Sequence, residues 1–440
     1  MVQQKTVACC AALIGAALSG AQPAAGEDFR AIDSLIAPFV DAGMFDGAVL
    51  VDRGGTIVYE RSFGRASHEL GIEHDRQTRF RIASVSKDLT DAALGALIER
   101  GVLTLDTRVA AYLPDFPGAD RITVRHIIEF SSGIPHTNEQ SWGRGDIAVS
   151  REELLARLAA LPLDFEPGTA RRYSNGGYAV LAYMIGAAAG SDYSTAMRDL
   201  VFEPLRMTDS GDILNSRDVI EQMAVGYEPG PEAGKPRHPR PYAVETRPGG
   251  GSLYSTARDL RKFYRAILEN KLFNSEIRQQ LFHLDDAPLE TTGRSPGFSS
   301  QILANKEADS ITIIVSNNYA FAQGLADEIS RLADGKKRTW PAIKLSHTPI
   351  KPDDPRLGRY RWPDFINAQG DIEIASDGGM AFVDEENDYA SALLPLDDGS
   401  LLFTMYYFVC ANPDDDTRDL VCTPIGADAR SGLRLTRIGD

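Results

Sequence analysis

Cysteine is scarce in this chain, which limits both its disulfide bonds and its metal sites. Four of the 440 residues are cysteine, and Cys9 and Cys10 lie in an apolar segment near the N-terminus. Cys410 and Cys422 remain, and in an exported protein such a pair indicates one disulfide bond. Two separate buried thiols are the alternative. No histidine lies near either cysteine, so we expect no metal site there.

Basic residues are outnumbered by acidic ones. The chain has 46 Lys and Arg against 62 Asp and Glu, a formal net charge of -16. A strongly acidic chain binds nucleic acid poorly and is repelled by anionic membrane surfaces, so we expect neither as a partner. The 43% hydrophobic content is ordinary for a globular protein, and the length favours two or three domains.

No membrane span is predicted, because the N-terminal apolar run at residues 7–20 is too short to cross a bilayer. Lys5 precedes this run, and small residues follow it as far as Gly26. This arrangement is typical of a secretory signal peptide, which we place at residues 1–26. Cleavage is preferred over a retained anchor. The expected location is therefore periplasmic or secreted, in an oxidising compartment.

Strands are predicted on both sides of a long helical region. Apolar runs at 47–51 and 56–59 flank a polar turn and predict a β-hairpin. Two later runs, 298–304 and 311–316, flank a second polar turn. The simplest packing places the early and late strands in one antiparallel sheet.

Helical spacing of apolar residues dominates the region between these strands. The predicted helices are 28–44, 84–101, 151–161, 178–190, 256–269 and 323–334. The fold class is therefore α+β, with an antiparallel sheet flanked by helices and a helical lobe beside it. We expect function in the cleft between the sheet and the lobe.

The C-terminal fifth of the chain has a different pattern. Residues 336–356 hold four prolines and few periodic positions, which predicts a linker after a first domain at 27–335. Residues 357–440 contain short apolar runs between Gly and Asp turns, which predicts an all-β module. This module has 16 Asp or Glu, six Arg and no Lys, so it carries most of the excess negative charge.

The segment Ser84-Val85-Ser86-Lys87 is the strongest candidate for chemistry. Residues three apart lie on one face of a helix, so the Ser84 hydroxyl and the Lys87 amine are within reach of each other. A serine hydroxyl becomes a good nucleophile when a neighbour takes its proton, and a desolvated lysine can do this. The alternative is a solvated lysine in the first turns of an amphipathic helix.

Further motifs follow in a fixed order. They are Tyr173-Ser174-Asn175, the segment 250–260 and Thr291-Thr292-Gly293. Together with Ser84-Val85-Ser86-Lys87, they resemble the serine β-lactamase and penicillin-binding-protein family. The nearest branch is that of class C β-lactamases, DD-peptidases and esterases. The resemblance covers roughly residues 28–335 and implies the β-lactamase/transpeptidase-like fold.

The resemblance implies a role for each matched residue. Ser84 is the nucleophile that becomes acylated, and Lys87 and Tyr173 share the proton transfers. A phenol near an ammonium has its anionic form favoured, so we expect Tyr173 to act as the base. Asn175 offers an amide to the substrate or to Lys87. The backbone N–H groups of Ser84 and Arg294 are the expected oxyanion donors. A core tyrosine and a turn asparagine are the alternatives.

The third motif departs from the family at its first residue. Thr291 stands before Thr292 and Gly293 where the family has a lysine or histidine that helps to hold a substrate carboxylate. A threonine carries no charge, so we expect neutral esters or amides to be favoured over β-lactams and D-Ala-D-Ala peptides. Arg294 or Arg247 is a candidate replacement for the missing cation. The alternative is that both arginines are solvated.

The sequence thus predicts an exported serine hydrolase that needs no metal or cofactor. Four histidines, His126, His136, His238 and His283, show no metal-ligand spacing, and we expect a structural or surface role for each. An esterase or peptidase acting on a small ester, amide or peptide is favoured over a true β-lactamase. A non-catalytic, penicillin-binding-protein-like receptor or scaffold is the alternative. The sequence leaves the oligomeric state open.

Overall fold

The computed structural model describes most of the chain from residue 29 onwards. The described residues are 29–440 apart from 42, 137–148, 229–234, 240, 319–324, 341–342, 345, 347–349, 352, 366–367, 378–379, 385–389, 404–407, 413–417, 425–432 and 439–440. The predicted signal peptide lies outside the described residues. Within them, no helix is both long enough and apolar enough to cross a membrane.

Strands and helices are numbered here in chain order. The strands are β1 (Gly47–Arg53), β2 (Thr56–Phe63), β3 (Arg65–Ser67), β4 (Ile72–Glu73), β5 (Phe80–Arg81), β6 (Gly211–Asp212), β7 (Leu253–Ser255), β8 (Leu289–Ser295), β9 (Phe298–Asn305), β10 (Ser310–Ser316), β11 (Gly358–Phe365), β12 (Ala368–Asp377), β13 (Met380–Asp384), β14 (Ala390–Pro395), β15 (Leu401–Phe403), β16 (Phe408–Ala411), β17 (Leu420–Pro424) and β18 (Leu433–Arg437). The helices are α1 (Arg30–Asp41), α2 (Ser86–Glu99), α3 (Val124–Ile128), α4 (Arg151–Ala159), α5 (Asn175–Ala189), α6 (Tyr193–Met197), α7 (Ala257–Leu268), α8 (Ser275–Phe282) and α9 (Leu325–Ala333).

A five-stranded antiparallel sheet forms the centre of the first domain, in the order β2-β1-β10-β9-β8. The predicted hairpin is confirmed as β1 and β2, and β1 pairs with β10 from the far end of the domain. The expectation of one sheet built from early and late strands is therefore confirmed. Strand β8 is absent from the predicted strands. It lies at the edge of the sheet, where a strand needs little apolar surface, and only its Gly293 and Ser295 are buried.

The central strands are covered on both faces, and the alternation of side chains along β1 shows how. Ala48 and Leu50 join the large core on the side of α2 and α7. Val49 and Val51 join a second core with α1 and α9 on the opposite face. Successive residues of a strand point to opposite faces, so a strand between two helical layers is apolar throughout.

Helix α5 places the second motif at its first turn. The helix begins at Asn175, three residues before the predicted start, because the Ser174 side chain accepts a hydrogen bond from Gly177 N at 2.9 Å. This cap satisfies a backbone donor that the first turn would otherwise leave free. Gly190 follows the last helical residue, and its φ of 71° terminates the helix. Apolar residues all round α5 bury it in the large core.

The proline-rich segment predicted as a linker packs against the first domain. Trp340 and Ile343 are 6% exposed and belong to the second core. The Thr339 N–H donates to Glu328 Oε1 of α9 at 2.6 Å. The segment therefore connects the two parts of the chain while contributing apolar surface to the core.

The C-terminal strands β11 to β18 follow one another around a closed barrel, and β18 pairs back onto β11. Cys410 of β16 lies opposite Cys422 of β17, and a disulfide bond joins them. Leu402 of β15 reaches the second core beside α1 and α9. The barrel is thus anchored to the sheet domain through buried apolar contacts.

Candidate active site

Ser84 lies on a strained turn that precedes α2. Residues Ala83–Val85 form a single 3₁₀ turn, and α2 begins at Ser86, two residues after the predicted start. Ala83 has a φ of 46°, in the left-handed region that costs an alanine about 1–3 kcal/mol. Despite this turn, Lys87 Nζ lies 3.4 Å from Ser84 Oγ, within the reach that helical spacing predicts.

The Lys87 amine is held by two other segments of the chain. Its Nζ donates to Asn175 Oδ1 and to the carbonyl oxygen of Gly250, each at 2.7 Å. The residue is 5% exposed. Burial, partly opposed by the charge of Asp91 and assisted by that of Arg247, lowers the pKa of Lys87 to about 7. Lys87 is therefore able to serve as a neutral base near neutral pH.

Tyr173 completes the cluster from the opposite side of Ser84. Its hydroxyl lies 2.8 Å from Ser84 Oγ, and its ring centroid lies 4.6 Å from Lys87 Nζ. Burial raises the pKa of Tyr173 to about 12, although the Ser84 hydrogen bond and Arg247 act in the opposite direction. This shift runs against the anionic form that a neighbouring ammonium would favour, and the share of Tyr173 in the proton transfers stays a prediction.

The third motif brings a backbone strand against the Ser84 turn. A Cβ atom on Gly293 would lie 2.3 Å from Ile82 O and 3.1 Å from Ser84 N. Only glycine permits so close an approach of β8. The backbone of Gly293 therefore packs directly against the Ser84 turn, and the predicted pairing of the Ser84 and Arg294 N–H groups as oxyanion donors stays a prediction.

The Thr291 side chain is engaged within the protein. Its Oγ1 donates to Asp88 Oδ2 at 2.7 Å, and the Tyr264 hydroxyl donates to the same oxygen at 2.7 Å. Burial raises the pKa of Asp88 to about 6, and these two hydrogen bonds act against that rise. Thr291 thus ties β8 to α2 one residue beyond Lys87, instead of presenting its hydroxyl as a free donor.

Two residues outside the motifs lie near the cluster. His136 has a structural contact of the kind expected, because its Nδ1 accepts from Asn175 N at 3.2 Å and its ring packs 5.4 Å from Tyr173. Burial lowers the pKa of His136 to about 4, so the ring is neutral. The alternative of a solvated Arg247 is wrong, because its side chain is 6% exposed. Arg294 is half-buried.

Asp91 is a further buried group beside the cluster that belongs to none of the motifs. It follows Lys87 by four residues on α2 and accepts from the Tyr178 hydroxyl at 3.0 Å. Burial raises the pKa of Asp91 well above its usual value, and the neighbouring Asp88 adds to the shift. The four-residue spacing from Lys87 was the sequence signal that would have revealed it.

A Ser–Lys–Tyr cluster between an antiparallel sheet and a helical lobe defines a serine hydrolase of the β-lactamase/transpeptidase fold. The family model described as Beta-lactamase matches residues 32–298, which is more than half of the chain. The chain belongs to this family, as the resemblance in its motifs indicated.

Two curated relatives each match more than half of the chain. The chain is 31% identical over 290 residues to Esterase EstB of Burkholderia gladioli, covering 57% of this chain and 73% of that protein. It is 28% identical over 285 residues to PbpX of Bacillus subtilis (strain 168), a penicillin-binding protein by name, covering 62% and 71%. The octameric penicillin-binding protein homologue from Pyrococcus abyssi shares the fold at a TM-score of 0.60 and 18% identity. That match covers 94% of this chain and 97% of that one.

Removal of the Asp88 carboxylate should loosen the contact between β8 and α2. In Asp88→Ala the Thr291 and Tyr264 hydroxyls lose their shared acceptor, and an unsatisfied buried donor costs about 1–3 kcal/mol. We expect a lower free energy of unfolding by about that amount, measured by urea denaturation. Asp88→Asn keeps an acceptor oxygen and should retain most of the stability. Equal stability of the alanine variant and the wild type would contradict this role.

Proposed function

We propose that the protein hydrolyses an ester or amide bond through an acyl-enzyme at Ser84. The observation that carries this proposal is the position of Ser84 Oγ, 2.8 Å from the Tyr173 hydroxyl and 3.4 Å from Lys87 Nζ. A nucleophile within reach of both a proton relay and a base is the arrangement that activates a serine.

The proton transfers follow from the two pKa values. Neutral Lys87 accepts a proton from Tyr173 as Tyr173 accepts the Ser84 proton, while Ser84 Oγ forms a bond to the acyl carbon. The backbone N–H groups of Ser84 and Arg294 stabilise the resulting oxyanion. Tyr173 then donates its proton to the leaving group as the acyl–leaving-group bond breaks, and Lys87 returns the proton to Tyr173. A water molecule repeats these steps on the acyl-enzyme and frees Ser84.

We infer an esterase or peptidase acting on a small molecule rather than a true β-lactamase. The neutral Thr291 supports this, because its hydroxyl is bound to Asp88 and offers no charge to a substrate. The disulfide between Cys410 and Cys422 supports an exported protein, periplasmic or secreted. We further propose the domain division at 27–335, 336–356 and 357–440. The complete Ser84, Lys87 and Tyr173 cluster favours this enzyme over a non-catalytic receptor or scaffold.

Covalent labelling tests the assignment of the nucleophile. A fluorophosphonate should modify the wild-type protein at Ser84, as identified by mass spectrometry of the labelled peptide. Ser84→Ala should lose the label, and Ser86→Ala provides a matched control two residues away. Label that persists at another residue of Ser84→Ala would refute the assignment.

The pH dependence of the reaction tests Lys87 as the base. Its active form is the neutral amine, so kcat/KM should rise with pH up to about 7 and then level off, because Tyr173 titrates only near 12. Asp88 has a pKa of about 6 and is the competing candidate for this limb. If Lys87 is responsible, Asp88→Asn keeps the rise near the same pH. Loss of the rise in Asp88→Asn would transfer the assignment to the carboxylate.

A further inference from the structure

The proposed reaction creates a positive charge inside the protein, at the amine of Lys87. This residue is 5% exposed, and its neutral amine becomes an ammonium when it takes the proton that leaves Ser84. The two acids that follow it on α2, Asp88 and Asp91, accept hydrogen bonds from other side chains. Among the described residues, no carboxylate oxygen lies within 4.0 Å of Lys87 Nζ. A buried charge without a close counterion is costly, so the ammonium needs another source of stabilisation.

Two aromatic rings face the amine. Lys87 Nζ lies over the Tyr173 ring at 4.6 Å from its centroid, and over the Tyr178 ring at 5.3 Å. A cation within about 6 Å of a ring centroid is attracted by the negative face of the ring, most strongly where water is excluded. The Tyr173 hydroxyl contacts Ser84, whereas the Tyr178 hydroxyl is bound to Asp91. The Tyr178 ring is therefore a source of negative potential that the proton transfers do not use.

The Tyr178 ring is held in this orientation by its surroundings. Its hydroxyl donates to Asp91 Oδ2 at 3.0 Å, and the residue is 2% exposed. The ring centroid of Phe130 lies 5.8 Å from that of Tyr178 and 5.0 Å from that of Tyr173. Both ends of the tyrosine are fixed, since α5 carries its backbone and α2 supplies Asp91. A ring that is already in place stabilises charge without reorganising during the reaction.

We propose that Tyr178 is a positioning residue of the reaction, whose ring face stabilises the ammonium that Lys87 becomes in the acylation step. This inference rests on the proposed function and adds a residue to it. The ring acts through Lys87 and not on the substrate. In this step the Ser84 proton passes through Tyr173 to the lone pair of Lys87, and Tyr178 neither gains nor loses a proton.

A simpler role for Tyr178 is to fill the core and to bind Asp91. The two roles differ in how they depend on the electrons of the ring. Packing depends on shape, whereas attraction to a cation weakens as fluorine withdraws electron density from the ring face. Fluorine is small, so it leaves in place the other titratable groups that face Lys87. These groups are Asp88 and Asp91 on α2, Arg247 on the turn before Gly250, and also His136 and Tyr173.

The test replaces Tyr178 in the full chain by phenylalanine and by its mono-, di- and trifluoro derivatives, so that every member of the series lacks the hydroxyl. A weaker ring face disfavours the ammonium, which lowers the pKa of Lys87 and moves the acid limb of kcat/KM to lower pH. We expect the limb to move by about one pH unit across the series. The plateau of kcat should fall by up to about tenfold, because a weaker base takes the proton less readily.

The same series at Tyr193 is the matched control. This tyrosine is also buried in the helical lobe, but its ring centroid lies 5.7 Å from the guanidinium carbon of Arg151. The acid limb should not move in the Tyr193 series. A limb that stays in place across the Tyr178 series, or that moves to higher pH, would overturn the inference.

A second measurement separates this inference from the proposed function. Titration of the Lys87 side chain by carbon NMR in the Ser84→Ala protein needs no turnover, and its midpoint should fall across the Tyr178 series alone. Fluorophosphonate labelling of Ser84 in the wild-type protein reports on the proposed function. Absence of labelling would refute that function, whereas labelling together with a constant midpoint would refute only the role of Tyr178.

Discussion

The amine of Lys87 is placed where three segments of the chain converge, and the geometry of the cleft depends on it. A neutral amine has two N–H donors and one lone pair. Asn175 Oδ1 and Gly250 O occupy the donors at 2.7 Å, so the lone pair is left for the side on which Ser84 and Tyr173 lie. Because burial favours the neutral form, the same contacts that fix the amine also prepare it to accept a proton.

The surrounding structure holds those segments at fixed distances. Helix α2 provides Lys87, the capped start of α5 provides Asn175, and the turn after Arg247 provides Gly250. Strand β8 reaches the Ser84 turn only because residue 293 is a glycine. The strained Ala83 costs stability, and the two large apolar cores offset that cost.

What the sequence could predict was local or repeated along the chain. The Ser84–Lys87 pair follows from helical spacing, and the hairpin from two apolar runs, so both were accessible without a structure. The protonation state of Tyr173 could not be predicted in this way, because its pKa depends on burial and on neighbours that are distant in the chain. His136 and Arg247 belong to no motif, and only tertiary packing brings them to the cleft. Edge strand β8 lacked the apolar pattern by which strands are found.

The central claim is that Lys87 titrates near pH 7 in the resting protein, so that about half of its amine is neutral there. The most direct measurement is a titration of the Lys87 side chain by carbon NMR of labelled lysine, assigned by its loss in Lys87→Arg. The account predicts a midpoint at about 7. A midpoint near 10.5, the ordinary lysine value, would contradict it and would leave Ser84 without its base.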